Sequence, residues 1–292
     1  MTATVQQPAA ARSAKRPKDD LGGRRPNPVV YLPLLIIAIG FLIPLLWLLS
    51  IALKDPAGLT SGSLIPSGLH WSNFRDAVTT IPFLKYTAIS FFLATVQSLL
   101  AVFSSALVGF GFARLRAPGR GVYFMIVIAT MMVPSIVTLI PTYLLFARLN
   151  LVYTYWPWVM WGIAGSAFLI FLFRQAFSNL PMDLEDAAII DGCGYFRMFI
   201  SVFLPLTKAV CVAGFILTFT GVWADFIAPT LFLSEDQTTL AVGLSHGYTT
   251  PAGTPMDNAL AAGAVLYILP ILVIFLVLQR GFVSGFATSG MK

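Results

Sequence analysis

The sequence predicts an all-α polytopic membrane protein with six transmembrane helices. Hydrophobic residues make up 58% of the 292 residues and charged residues only 10%, whereas roughly a quarter of a soluble domain is charged. The apolar residues fall into blocks that are each close to the roughly 20 residues a helix needs to cross a bilayer. The predicted spans are residues 29–53, 86–112, 122–147, 156–173, 209–233 and 259–279.

The segments between and beyond these spans are more polar. Residues 1–28 are rich in Pro, Ala, Lys and Arg and lack hydrophobic periodicity, which predicts a disordered tail. They do not resemble a signal peptide, because the apolar block that follows is long enough to span a membrane. Residues 54–85 are predicted to form an external loop. Residues 86–280 form the core, with its main cytoplasmic loop at 178–206, and residues 281–292 form a C-terminal tail.

The distribution of Lys and Arg predicts the orientation of the chain. With the N-terminus inside, only four of the 18 Lys and Arg residues lie on the outer face, namely Lys54, Arg75, Lys85 and Arg148. Because cytoplasmic loops carry an excess of Lys and Arg, both termini and the 178–206 loop are predicted to be cytoplasmic. The same distribution explains the net charge of +6 without a nucleic-acid partner.

The sequence lacks the common motifs of catalytic and cofactor sites. It contains no G-x-x-x-x-G-K-[ST] loop that would hold the phosphates of ATP. His70 and His246 are isolated in the sequence, and Cys193 and Cys211 do not have the spacing of metal ligands. We therefore expect no catalytic residue, cofactor or metal in this chain.

The most patterned segment is LPMDLEDAAIIDGCGYFRMFISVFLPL, residues 180–206. Acidic residues crowd its start, where the dipole of a helix favours negative charge. Gly192 follows at the position where a helix end favours a residue that tolerates positive φ. The pattern predicts two short amphipathic helices that run at right angles to the spans. The first has an acidic face, and the small side chains of Ala187 and Ala188 allow another surface to approach that face closely.

This segment resembles the EAA loop of bacterial ABC importer permeases, whose consensus is E-A-A-x-x-x-G, nine variable residues and I-x-L-P. Residues 186–188 align with E-A-A, Gly192 with the glycine, and Leu204 and Pro205 with the closing L-P. Asp186 replaces the family glutamate, and the neighbouring Glu185 offers a second carboxylate. The resemblance implies the ABC transporter type-1 permease fold. It also implies contact with an ATPase through Glu185, Asp186, Ala187, Ala188, Asp191, Gly192, Phe199, Leu204 and Pro205.

A second segment, Trp223-Ala224-Asp225-Phe226, resembles the W-N-[DE]-F stretch of sugar-importer permeases, with Ala224 in place of the asparagine. Asp225 is the acidic residue within the predicted spans, and such residues are often functional. Trp223 and Asp225 are therefore candidates for the solute pathway or a gate. The expected position of Asp225 near the outer interface favours a structural or gating role over direct sugar binding.

The two resemblances together imply a permease subunit of an ATP-driven, binding-protein-dependent importer in the bacterial inner membrane. Its implied partners are a second permease in a heterodimer, two cytoplasmic ATPase subunits that bind the ATP, and an extracytoplasmic solute-binding protein. The implied solute is a sugar or a sugar-like molecule, with glycerol phosphate as the alternative. A stand-alone secondary transporter would be expected to show internal repeats, and none is visible. A membrane anchor would not explain the patterned loop.

Overall fold

The computed structural model describes residues 28–55, 65–66, 68–250 and 252–289, with side chains from residue 31 to residue 279 of those ranges. The predicted disordered tail and the last three residues of the predicted C-terminal tail lie outside the described residues, apart from Pro28. Within the described ranges the regular structure is helical, beside a single isolated bridge between Thr249 and Pro255. The prediction of an all-α fold is confirmed.

The helices follow one another with short connections. They are α1 (Pro28–Leu53), α2 (Ser72–Thr79), α3 (Phe83–Arg114), α4 (Arg120–Thr130), α5 (Ser135–Arg148), α6 (Trp156–Ala164), α7 (Ala167–Ser178), α8 (Asp183–Ile190), α9 (Tyr195–Met198), α10 (Leu204–Leu206), α11 (Lys208–Trp223), α12 (Ile227–Phe232), α13 (Leu240–His246) and α14 (Asp257–Ser289). A π-helical segment, Phe199–Phe203, joins α9 to α10, and Glu235–Gln237 forms a 3₁₀ turn.

Four helical stretches in the described part of the chain are long and apolar enough to cross a membrane: Tyr31–Leu53, Phe83–Arg114, Trp156–Ser178 and Asp257–Gln279. Two further pairs pass the same test but are sharply bent. Helices α4 and α5 meet at 97°, and the segment Tyr195–Leu206 meets α11 at 81°. If each bent pair is counted as one span, the total reaches the predicted six.

The boundaries of the spans differ from the prediction in four places. The 122–147 block breaks ahead of Pro134, because a proline cannot donate the next helical hydrogen bond, while Pro141 lies inside α5. Helix α7 continues past Arg174, whose guanidinium lies 4.1 Å from the ring centroid of Phe124. The 209–233 block divides after Trp223, and α14 continues to Ser289, into the predicted C-terminal tail.

The break between α6 and α7 is supported by side chains of α3. Gly165 occupies a left-handed conformation with φ of 72°. Ser104 Oγ donates to the carbonyl of Ile163 at 2.6 Å, and Ser105 Oγ accepts from the N–H of Ser166 at 2.9 Å. Because a bilayer offers no water to unpaired backbone groups, these two serines allow the chain to interrupt its helix inside an apolar segment.

Helix α3 is the centre of the packing, with α6, α7 and α11 against it. Two glycines permit the closest approaches. A Cβ on Gly109 would lie 2.7 Å from Cβ of Phe173, and a Cβ on Gly162 would lie 2.7 Å from Cβ of Leu100. Small residues commonly allow such contacts between membrane helices.

The described part of the chain divides into two units, of which the first ends at Leu46 and the second begins at Trp47. In the first unit, the described part of α1 carries large apolar side chains that are exposed along its length, which suits contact with lipid. In the second unit, one apolar cluster lies at the end of α3 that carries Arg114. It contains five phenylalanines that are almost entirely buried, Phe110, Phe173, Phe177, Phe199 and Phe203.

Candidate functional site

Helix α8 and its glycine end form the first part of the predicted coupling loop. Gly192 has a φ of 72°, so the predicted positive φ is confirmed. The N–H of Gly192 donates to Ile189 at 3.0 Å, and the N–H of Cys193 donates to Ala188 at 2.9 Å. This pair of bonds is the Schellman arrangement that terminates helices. The helix itself begins at Asp183 and carries Asp183, Glu185 and Asp186 in its first turn.

The residues predicted to couple to an ATPase do not all lie on one face. Glu185, Ala188 and Phe199 are buried within this chain, and Leu204 is half-buried. The exposed members of the predicted set are Asp186, Ala187, Asp191, Gly192 and Pro205. The sequence had suggested that Glu185 could replace Asp186 at an external surface. Because Glu185 is buried, its carboxylate does not reach that surface.

The exposed face of α8 is apolar as well as acidic. Ile190 is 85% exposed and Ile189 is 50% exposed, beside the carboxylates of Asp186 and Asp191. We refer to Asp186, Ala187, Ile189, Ile190 and Asp191 as the α8 surface. The acids and alanines of this surface are part of the sequence pattern, whereas the exposure of Ile189 and Ile190 is not evident from the sequence, because an apolar residue in a short helix can face either the core or solvent.

Arg114, the last residue of α3, holds the inner side of the loop. Its Nη2 donates to the main-chain carbonyls of Phe177 and Leu180, each at 2.6 Å. Its Nη1 donates to Sδ of Met182 at 2.9 Å. One residue thus connects the end of α3 to the end of α7 and to the segment that leads into α8.

Arg114 also neutralises the buried carboxylate of Glu185. Nη1 of Arg114 lies 3.6 Å from Oε2 of Glu185, and both side chains are almost fully enclosed. That distance is too long for a hydrogen bond, and Oε2 accepts none within the described part of the chain. The interaction is therefore a charge pairing between two buried groups, which water screens only weakly.

The ring of Phe203 completes the surroundings of Arg114. The guanidinium carbon lies 4.8 Å from the ring centroid, a distance at which a cation is attracted to the face of an aromatic ring. We call Arg114, Phe177, Leu180, Met182, Glu185 and Phe203 the Arg114 cluster. In the sequence, Arg114 is recognisable only as a cytoplasmic cation, because its partners are 63 or more residues away in the chain.

The two predicted pathway residues have different environments. Trp223 is fully buried, with its ring 5.8 Å from that of Phe219 and 5.5 Å from that of Tyr267. The hydroxyl of Tyr267 donates to the carbonyl of Trp223 at 2.7 Å. Trp223 therefore lies in the core between α11 and α14, which differs from the predicted pathway position.

Asp225 lies in the connection between α11 and α12. Its Oδ1 accepts the N–H groups of Ile227 at 3.0 Å and Ala228 at 3.2 Å. These bonds start α12 and explain why the predicted span divides here, because an aspartate readily caps a new helix. Asp225 also lines two cavities. Among the described residues, no group of three or more His, Cys, Asp or Glu side chains is placed to hold a metal.

Comparisons with known proteins place the chain in a family. The family model described as "Binding-protein-dependent transport system inner membrane component" matches residues 105–287, more than half of the chain. The matched region contains the Arg114 cluster, the coupling loop and Asp225. The chain belongs to this family of inner-membrane transport components.

Curated relatives include permease proteins for several solutes. The arabinooligosaccharides transport system permease protein AraQ of Halalkalibacterium halodurans is 32% identical, with 82% of this chain and 81% of that protein aligned. The sn-glycerol-3-phosphate transport system permease protein UgpE of Pectobacterium atrosepticum is also 32% identical, over 78% of this chain and 83% of that one. The lactose transport system permease protein LacG of Rhizobium radiobacter is 28% identical over 90% and 95%.

A solved structure supports the fold. A chain of a bacterial ABC transporter involved in the import of the acidic polysaccharide alginate matches with a TM-score of 0.77 at 22% identity, covering 94% of this chain and 99% of that chain. The predicted ABC permease fold is confirmed. The chain is a multi-pass inner-membrane permease subunit of a binding-protein-dependent importer, and ATP is hydrolysed by a partner chain rather than by this one. A stand-alone secondary transporter and a passive anchor are both excluded.

The Arg114 cluster gives a direct prediction about stability. Arg114→Met removes every polar contact of the guanidinium and leaves Glu185 buried without a counter-charge. Breaking a buried ion pair in this way costs about 3–5 kcal/mol of the free energy of unfolding. We expect a lower melting temperature in detergent and faster proteolysis between residues 178 and 206.

The matched control is Arg116→Met, because Arg116 is exposed two residues further along and its loss should change neither measurement. Glu185→Gln should have a smaller effect than Arg114→Met, since the guanidinium keeps its two carbonyl partners. Equal stability of the Arg114 and Arg116 variants would show that the cluster does not hold the loop.

Proposed function

We propose that this chain forms half of the translocation pathway of an ATP-driven sugar importer. The other half is a second permease chain in a heterodimer, two ATPase subunits bind the cytoplasmic side, and a solute-binding protein delivers the solute from outside. The proposal is supported by the family description and by relatives whose names specify arabinooligosaccharides and lactose. Glycerol phosphate is the second candidate solute, because another relative is named for it.

The main support for the proposal is the exposed α8 surface, which lies on a loop that Arg114 connects to α3. Asp186 and Asp191 provide negative charge, and Ile189 and Ile190 provide apolar area, on a helix whose inner side is fixed by Arg114. Such a surface suits a cleft of a partner protein that combines basic and apolar side chains. Closure of the ATPase subunits would then move α8, and the contacts of Arg114 would pass that movement to α3 and α7.

A hairpin lying on lipid is a weaker explanation of the same loop. Interfacial helices usually carry Lys and Arg opposite their apolar side, since the cytoplasmic leaflet is negatively charged. Helix α8 instead has three acids in its first turn and no basic residue in its last turn. The charge of α8 therefore favours a protein partner.

We also propose that both termini and the coupling loop are cytoplasmic, as the distribution of Lys and Arg predicts. In a variant without Cys193 and Cys211, a cysteine at the exposed Ser178 should react with a membrane-impermeant maleimide only in inverted vesicles. A cysteine at Thr249, also exposed, should react only in intact cells or right-side-out vesicles. Labelling of the two positions from the same side would contradict the proposed topology.

Gly192 provides the sharpest test of coupling. Valine at Gly192 would be strained by about 1–2 kcal/mol because of the positive φ, although its Cβ would meet no other atom within 4 Å. This strain is small for a protein of this size, but it should alter the end of α8 and the α8 surface. We expect Gly192→Val to insert in the membrane normally and to lose most ATPase copurification and solute uptake.

Gly194→Val is the control, since Gly194 has an ordinary φ of −70° and its Cβ would also meet nothing within 4 Å. Copurification of the ATPase and uptake of radiolabelled lactose are compared for the two variants at equal amounts of permease in the membrane. If the wild-type importer does not accept lactose, radiolabelled arabinotriose is used as the solute. If Gly192→Val retains ATPase binding and uptake at the level of Gly194→Val, the loop is not the coupling element.

A further inference from the structure

Two cavities meet at Asp225 and Trp161. The first has a volume of about 470 Å³ and lies between α5, α6 and α12, with Thr138 and Thr142 in its wall. The second has a volume of about 420 Å³ and lies between α3, α6, α7 and α11, with Gln97 in its wall. Asp225 and Trp161 line both, and each volume lies within the range of small-molecule sites.

Several oxygens in these walls can accept a hydrogen bond from a solute. The hydroxyl of Thr142 donates to the carbonyl of Thr138 at 2.7 Å, and that of Thr138 donates to Ser135 at 2.9 Å, so the oxygens of both hydroxyls remain as acceptors. Within the described part of the chain, Oε1 of Gln97 is buried without a partner, and the hydrogen bonds of Asp225 use Oδ1 alone. Oδ2 of Asp225 is available to a solute.

Trp161 is held rigidly at the junction of the cavities. Its ring lies 5.3 Å from that of Phe232 at 83° and 5.6 Å from that of Trp158 at 74°. Both neighbours are fully buried. A rigid aromatic ring beside several acceptors suits a saccharide, because the ring of a sugar has an apolar face and each of its hydroxyls can donate a hydrogen bond.

The charge of the site discriminates between classes of solute. None of the described residues that line either cavity is Lys, Arg or His. A phosphate or carboxylate there would meet the carboxylate of Asp225 without a compensating cation among the described lining residues, and like charges at close range repel each other. Family membership does not determine whether the solute is neutral or anionic, because one relative of this chain is named for lactose and another for sn-glycerol-3-phosphate.

We propose that Asp225 and Trp161, with Thr142, form a solute site in this chain that accepts neutral saccharides and excludes anions. The inference rests on the proposed function, because it assigns the solute of the importer that the chain helps to form. It replaces the sequence-based preference for a purely structural or gating role of Asp225.

The first experiment measures uptake by the complete importer, with both permeases, the ATPase and the binding protein expressed together. The probes are radiolabelled lactose, arabinotriose, sn-glycerol 3-phosphate and a trimer of uronic acid. We expect uptake of at least one neutral sugar and of neither anion. Uptake of an anion, or of none of the four by an assembled importer, overturns the proposal.

The second experiment uses paired variants and the sugar that the wild type imports, with the ATPase rate measured beside uptake in proteoliposomes. Asp225→Asn keeps the oxygen that starts α12 and removes the charge, and Thr142→Val removes one acceptor. Each should lower the amount of sugar imported per ATP hydrolysed by about tenfold, the size expected for one hydrogen bond to a solute.

The controls change the same chemistry outside the cavities. Asp236→Asn alters an exposed acid, and Thr79→Val removes an exposed hydroxyl that bonds the carbonyl four residues earlier, as Thr142 does. Both control variants should import the same amount of sugar per ATP hydrolysed as the wild type. If Asp225→Asn and Thr142→Val match their controls, the site assignment is wrong while the proposed function stands. Failure of the wild-type chain to bind the ATPase would instead refute the proposed function, and this inference with it.

Discussion

The structure depends most on one buried cation, the guanidinium of Arg114. It gathers two carbonyls, a thioether, a carboxylate and an aromatic face from three separate parts of the chain. A buried ion pair adds little net stability compared with apolar packing, but it tolerates the loss of neither partner. Its main consequence is therefore geometric, because it fixes where the coupling loop lies relative to α3 and α7.

Polar groups that lie away from water must also find partners where the helices break. Ser104 and Ser105 pair with the backbone at the interruption between α6 and α7. Asp225 pairs with the backbone where α12 begins. Each of these two breaks is thus stabilised by a side chain, which lets the apolar segment bend without leaving those backbone groups unpaired. These bends surround the two cavities that meet at Asp225.

Much of this organisation could be predicted from residues that are close in sequence. Hydrophobic blocks of membrane length predicted the spans, and the order of acids and glycine predicted α8 and the positive φ of Gly192. Local patterns could not predict which side of α8 faces the protein, because Glu185 is buried only through a partner at the end of α3. The burial of Trp223 against Tyr267 and the cavities lined by Thr142 likewise arise from packing between distant segments.

The contacts of Arg114 predict that α3 and the coupling loop move as one body when the ATPase closes. Spin labels at the exposed positions Val108 on α3 and Ser201 in the loop, in an assembled importer without Cys193 and Cys211, would measure the distance between them by pulsed electron paramagnetic resonance. We expect the same mean distance in the nucleotide-free and vanadate-trapped states, and a broader distribution in Arg114→Met. A mean distance that changes between the two states of the importer with Arg114 intact would show that α3 and the coupling loop move separately.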